Sequence, residues 1–326
     1  MKFGTGFSLA AQADPIALRD MAQTLDGAGF DYVTTAGHLL GAPPDSYAGR
    51  PHQTYVGPFR EPFVFFSYLA AVTQRLAFRT SILILPLFPT ALVAKQAAEL
   101  SLLSGGRFQL GVGISWNPAE YEALGQDFTT RGRRLEEQIV VLKRLWTEPF
   151  VTFEGRFHTL RGVGLNQLPQ QPVPVWIGCA PEEPLLRRVA RVADGWLPQV
   201  DPTEPLARLR GYLREAGRDP SSFGVTWRLV AGPGGPASWV ETVHQLESVG
   251  VTDVTISAPP DVTGAPSLQR IIEARRIGKT NGIFALAPRK CTPWHPPADT
   301  PRLGCTRVRL VRGGRPLGLD THRRMR

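Results

Sequence analysis

Residues able to do chemistry gather where the apolar runs of this chain stop. The run FQLGVGI (residues 108–114) carries Gly111 and Gly113 and leads into Ser115, Trp116 and Asn117. Glycines at that spacing let a flat ring lie against main chain, and the amides of the following turn can donate to carbonyl or phosphate oxygens. The same glycines also suit a fold in which they only make room for side chains of neighbouring layers. A second group, Gly178, Cys179 and Ala180, closes the run VPVWIGC ahead of a helical pattern over 181–193. A strand that enters a turn and then a helix N-terminus directs free N–H groups and the helix dipole at an anion. No histidine accompanies Cys179 in sequence, so it reads as a small packing residue rather than a nucleophile. His38 ends a third run, FDYVTTAG, and a lone histidine there reads as a structural residue with satisfied hydrogen bonds. Cys179, Cys291 and Cys305 form no CxxC and no even framework, and the six histidines are scattered, so no metal spacing is present.

The central stretch, residues 80–124, reads strand, helix, strand: an apolar run over Ser81 to Phe88, an amphipathic segment stopped at Gly105-Gly106, and the run over 108–114. Such a unit belongs to a parallel sheet covered by helices. FGTGFSLA and FDYVTTA precede it; VPVWIGC, DGWLPQ, FGVTWRLV and VTDVTIS follow, with helical patterns between them. Asp14 before Pro15 is a helix start, with proline at the first helical position. Eight strands with interleaved helices predict an α/β fold, a (β/α)8 TIM barrel forming a single domain over residues 1–278. Two insertions interrupt the alternation. The Pro, Gly and Tyr-rich stretch over 39–62 follows the second strand as a lid-like insertion, since long irregular connections are usually functional or disordered. The other, VTFEGRFHTL with GLNQLPQQPVP, is hairpin-like and follows the helix that ends near Trp146.

The formal charge of +9 is concentrated at one end. Residues 275–326 hold 13 Lys and Arg against 2 Asp and Glu, which leaves 24 against 26 in the first 274. The body is therefore nearly neutral and offers no argument for specific nucleic acid binding. Residues 279–326 are rich in Pro and Arg without helix or strand period, and read as a basic, disordered tail or an out-of-frame extension. No apolar run reaches about 18 residues and the first residues lack a signal-peptide layout, so a soluble cytoplasmic protein without membrane contact is expected.

The spelling LSGGRFQLGVGISWNPAEYEALG, followed by RGRRLEEQIVVLKRLWTEPFVTFEGRFH, resembles the bacterial luciferase-like monooxygenase superfamily, most closely its deazaflavin (coenzyme F420)-dependent oxidoreductase branch. The resemblance runs from about residue 3 to about 258 and independently implies the same barrel. It implies a flavin-type oxidoreductase that transfers a hydride between reduced coenzyme F420 and a small organic substrate. An FMN-dependent luciferase-like monooxygenase is the alternative, and a non-catalytic flavin-binding protein a third reading. It further implies that Thr80, Ser81 and Ile82 bulge against the ring through a non-prolyl cis peptide at Ser81–Ile82. The loop from Gly111 to Asn117 would contact the cofactor, and Gly178, Cys179 and Ala180 would suit its phosphate. His38 becomes the catalytic candidate, handling a proton or touching the ring. Two departures stand out: Gly37 occupies the place where many deazaflavin relatives carry Asp or Glu, and Trp116 that of a Glu in some sugar-oxidising ones. A paired acid beside His38 is therefore not expected, and neither is oxidation of a phosphorylated sugar. Relatives often dimerise, which leaves a homodimer open.

Overall fold

A computed structural model describes residues 1–7, 14–41, 59–230, 235–257 and 265–280. Residues 42–58 of the lid-like insertion over 39–62, the tail beyond 280, and Cys291 and Cys305 lie outside the described residues.

Eight parallel strands close into a barrel: β1 (Lys2–Gly6), β2 (Tyr32–Gly37), β3 (Ala77–Ile84), β4 (Phe108–Gly113), β7 (Val175–Cys179), β8 (Gly195–Pro198), β9 (Gly224–Val230) and β10 (Asp253–Ser257). They follow one another around the barrel in that order, with β10 paired to β1. The expected (β/α)8 architecture is thus present. The helices are α1 (Pro15–Gly27), α2 (Pro62–Ala71), α3 (Thr90–Leu103), α4 (Pro118–Ala123), α5 (Arg131–Thr147), α6 (Glu183–Val192), α7 (Thr203–Glu215), α8 (Gly235–Val249) and α9 (Ala265–Thr280). Asp14 caps α1, accepting from the Ile16 amide at 2.8 Å. At the far end of α3, Gly105 and Gly106 take φ of 66° and 79°, the left-handed region that glycine enters without a Cβ clash.

Three boundaries differ from the sequence expectation. The apolar run beginning at Ser81 is not all strand: β3 starts at Ala77, and Leu85–Leu87 form a single 3-10 turn below Pro89. The short helix α4 was not anticipated, and α9 carries the chain two residues past the boundary drawn at 278. The insertion after α5 does form an antiparallel hairpin, β5 (Val151–Glu154) with β6 (Thr159–Val163). His158 beside β6 pins it to the barrel: Nδ1 pairs with Glu137 at 2.8 Å and Nε2 with the Thr90 hydroxyl at 2.6 Å.

Strand alternation sorts side chains between two environments. Facing the helices, Phe3, Val33, Phe78, Leu110, Val112, Ile177, Val225, Val254 and Ile256 are buried in one apolar core. The opposite face lines the lumen and is rich in polar residues and glycine. Its lower part is filled around Arg79, whose guanidinium lies 4.3 Å from the Tyr32 ring centroid and 3.8 Å from that of Trp176. Arg79 donates to Asp253 at 2.9 Å and to Gln109 at 2.7 Å. Both rings need neighbours without side chains. A Cβ on Gly4 would stand 2.4 Å from the Tyr32 ring, and one on Gly195 or Gly224 would stand 2.2 Å from Trp176.

Because Arg79 and Asp253 are both buried, removing one leaves an unpaired charge out of water. Arg79→Ala is expected to lower the unfolding free energy in urea by about 3 to 5 kcal/mol, since it strands Asp253. A loss below about 1 kcal/mol, the range of exposed pairs, would show that the ion pair does not hold the lower lumen together.

Candidate active site

At the carboxyl end of β3 the ladder accommodates an extra residue. Arg79 pairs with Gln109 and Leu83 with Val112, so four steps along β3 match three along β4. Against β2, Thr80 pairs with Thr35 and Leu83 with Gly37, again one residue in excess. The irregular stretch is Thr80, Ser81 and Ile82, and the peptide between Ser81 and Ile82 is cis. That is the bond the resemblance singled out. Ser81 is exposed and Ile82 half-buried in a strand whose other residues are buried.

Glycines surround this bulge and explain how it fits. A Cβ on Gly111 would sit 1.9 Å from the Thr80 carbonyl oxygen, while the Thr80 hydroxyl donates to the Gly111 carbonyl at 2.6 Å. Added Cβ atoms on Gly113 and Gly178 would meet the Ile82 side chain at 2.9 and 2.8 Å. Gly37 is closed in as well, its Cβ position being 3.0 Å from Pro62 and 3.3 Å from the Ile82 carbonyl oxygen. The glycines of β4 and β7 therefore recess Ile82 rather than form the surface themselves. Ile82, with Leu197 of β8 beside Gly111 and Gly178, supplies an apolar floor to this half of the barrel mouth.

The loop after β4 is tied down by α4. Ser115 adopts φ of 55°, and its hydroxyl accepts from the Asn117 amide at 3.3 Å. Asn117 caps α4 by accepting from the Ala119 amide at 3.0 Å, and Tyr121 donates to the Ile114 carbonyl at 2.6 Å. Trp116 is half-buried, with its ring 6.5 Å from that of His38. Phe59 packs on His38 at 5.2 Å.

His38 is not alone. Its Nδ1 lies 2.9 Å from Oε2 of Glu120 on α4, and Oε1 of the same carboxylate accepts from the Leu39 and Leu40 amides at 2.9 and 3.3 Å. Burial pushes the Glu120 carboxyl up, but the bonds from His38, Leu39 and Leu40 favour the anion and together hold it below the usual glutamate range. An ionised carboxylate only accepts, so Nδ1 carries a hydrogen and Nε2 is the nitrogen left for a ligand. The acid that Gly37 does not provide thus comes from 83 positions later. Its sequence signal was the Asn117-Pro-Ala-Glu120 spelling, an N-cap with an acid at the third helical position. Here that acid turns to the histidine, while its Oε2 also accepts from the side-chain amide of its own N-cap, Asn117, at 3.3 Å.

Gly178, Cys179 and Ala180 are half-buried at the end of β7. Burial pushes the Cys179 thiol up to about 12, which keeps it protonated at neutral pH. The N-terminus of α6 carries Glu182 and Glu183, both exposed, and Pro184 removes one amide donor. Arg187 pairs with Glu183 and Glu215, and Arg188 with Glu136. Among the described residues no three His, Cys, Asp or Glu side chains gather as metal ligands, and no helix is long and apolar enough to cross a membrane.

This bulged barrel matches the family model for luciferase-like monooxygenases over residues 1–247, and the chain belongs to that family. An uncharacterized protein of Mycobacterium tuberculosis is 38% identical over 216 residues, 65% of this chain and 72% of the relative. The F420-dependent hydroxymycolic acid dehydrogenase of the same species is 28% identical over 218 residues, 64% of this chain and 57% of that protein. Among solved structures, a riboflavin lyase with modified FMN and substrate riboflavin superposes with a TM-score of 0.74 at 15% identity, covering 87% of this chain and 92% of its own. The last likeness is one of fold.

The glycines make a graded test. Gly111→Ala forces a side chain onto a backbone oxygen and is expected to destabilise the barrel severely, whereas Gly113→Ala meets only the movable end of Ile82 and should fold. Thermal unfolding of the two variants decides it, equal losses being the contrary result. Glu120 gives a pH test. Its folded-state pKa is depressed, so its contribution to stability is fully present above the ordinary glutamate range of about pH 4 to 5 and is lost as pH falls through the folded value. The melting-temperature difference between wild type and Glu120→Gln should accordingly be constant near neutrality and shrink in acid. A difference independent of pH would mean that the carboxylate is not held as an anion.

Proposed function

We propose that this chain is an oxidoreductase that binds reduced coenzyme F420 at the bulge and acts on a small organic substrate at the barrel mouth. The observation that carries the reading is the pairing of two features on adjacent strands. One is an exposed Ser81 beside half-buried Ile82 over recessing glycines; the other is a histidine held by a buried carboxylate with Nε2 free of partners among the described residues. The 28% identical relative named for F420 dependence supports the choice of cofactor. Ile82, Leu197 and the loop from Ser115 to Asn117 would bear on the ring, Ile82 and Leu197 presenting carbon rather than competing hydrogen-bonding groups. Bound there, the reduced deazaflavin supplies a hydride for an electrophilic carbon.

The chain's own part is position and one proton. Glu120 orients His38 through Nδ1, which directs Nε2 to accept or deliver a proton at the reacting group. Phe59 and Trp116 stand beside the imidazole, with ring centroids 5.2 and 6.5 Å away, where they would limit the water that reaches it once a ligand is bound. A non-catalytic flavin carrier was suggested by the missing acid at Gly37 and by the basic tail, and the Glu120 contact with His38 speaks against the first of these two motives.

Fluorescence titration of the full chain with coenzyme F420 and with FMN tests the cofactor, and the deazaflavin should bind more tightly. Tighter FMN binding would replace the reading with FMN-dependent oxygenation. In the same assay His38→Asn is expected to keep cofactor affinity while turnover of a ketone panel falls by about 10² to 10⁴. Unchanged turnover would remove His38 from the chemistry.

A further inference from the structure

The polar half of the barrel mouth holds a cation without a matching anion among the described residues. Thr226 on β9 faces the lumen, since its hydroxyl meets that of Tyr32 at 3.3 Å, and strand alternation puts Arg228 and Val230 on the same face above it. Thr255 and Ser257 of β10 share that face, Thr255 through its 2.8 Å bond to Tyr32. Arg228 is exposed and donates Nε to the Ser257 hydroxyl at 3.2 Å. No carboxylate oxygen of a described residue lies within 4.0 Å of it, in contrast to Arg79 one layer below, which Asp253 neutralises. In front of Gly6 on β1 the nearest atoms to a Cβ position are the Thr34 hydroxyl at 3.6 Å and the Ser257 hydroxyl at 3.9 Å. Two hydroxyls and a guanidinium thus face one open space on four consecutive strands, β9, β10, β1 and β2. Val230 stands next to it and is 51% exposed.

We infer that Arg228, Ser257 and Thr34 form an oxyanion subsite that takes a carboxylate or phosphate on a small organic ligand, whose apolar body lies along Val230. A guanidinium offers a planar fork of donors suited to such groups, and hydroxyls complete the shell without adding charge. Among the described residues no carboxylate supplies the anion, and an exposed strand residue needs no arginine to pair with a serine, so the charge is best used if a ligand brings one. The inference shares with the proposed function only the barrel mouth as the ligand site. Substrate and cofactor side chain are the two sources of such an anion, and the test separates them.

Benzoate and its neutral counterpart benzamide serve as probes, titrated calorimetrically into the full chain at low salt, with wild type, Arg228→Met and Arg228→Lys compared. Thermal unfolding should be alike in all three, since among the described residues Arg228 makes one hydrogen bond, an exposed one. Benzoate affinity should fall by about tenfold or more in Arg228→Met, the usual consequence of losing a charge-assisted hydrogen bond, and be partly kept by Arg228→Lys. Benzamide affinity should not change. A second arm titrates coenzyme F420 and its dephosphorylated analogue into the same proteins. Loss confined to benzoate assigns the subsite to the substrate; loss confined to the phosphate-bearing cofactor assigns it to the cofactor. Indifference of every probe to Arg228 overturns the inference. Arg228-dependent benzoate binding in a chain that ignores the deazaflavin would keep the subsite and sink the cofactor reading instead.

Discussion

The Arg79 guanidinium, clasped between Tyr32 and Trp176 and neutralised by Asp253, sets the terms for the rest of the molecule. A barrel lumen must be filled, and here the lower layer is filled with charge and aromatic faces instead of aliphatic side chains. Burying a guanidinium is tolerable only with an anion and ring faces in contact, so Asp253, Tyr32 and Trp176 follow from it. The rings in turn require Gly4, Gly195 and Gly224 on the strands beside them. With this layer occupied, the C-terminal mouth is left for a ligand.

Above that plug the mouth has two unlike halves. Over β3, β4, β7 and β8, glycines recess a bulge and leave carbon from Ile82 and Leu197 on the surface. Over β9, β10, β1 and β2, hydroxyls and Arg228 face the same space. His38 ends the arc of the second half next to the first, and α4 reaches across from the loop after β4 to hold it. One short helix thereby couples the loop after β4, through Asn117 and Tyr121, to His38, through Glu120.

Much of this was legible in the sequence because alternation and helix punctuation are local. All eight barrel strands could be read, and so could the cap at Asp14. The error at β3 has a physical source: the apolar run continues without a break from strand into the 3-10 turn at Leu85–Leu87, and both are buried. The cis bond at Ser81–Ile82 came from resemblance, since no local propensity of Thr-Ser-Ile announces it. Glu120 was missed because its contact with His38 spans 82 positions, and no local pattern around residue 120 points to a histidine so far away in sequence. Arg228 was missable in another way. In FGVTWRLV the polar residues Thr226 and Arg228 share one strand face, a period-2 signal that places the arginine inside the barrel only once the direction of that face is known.

The most direct measurement is a crystal structure of the chain with bound coenzyme F420. The account predicts the ring against the Ser81–Ile82 peptide and the Ile82 side chain, with His38 Nε2 facing the ligand and Nδ1 still bonded to Glu120. A ring seated elsewhere on the barrel, or His38 turned so that Glu120 no longer holds it, would contradict the account.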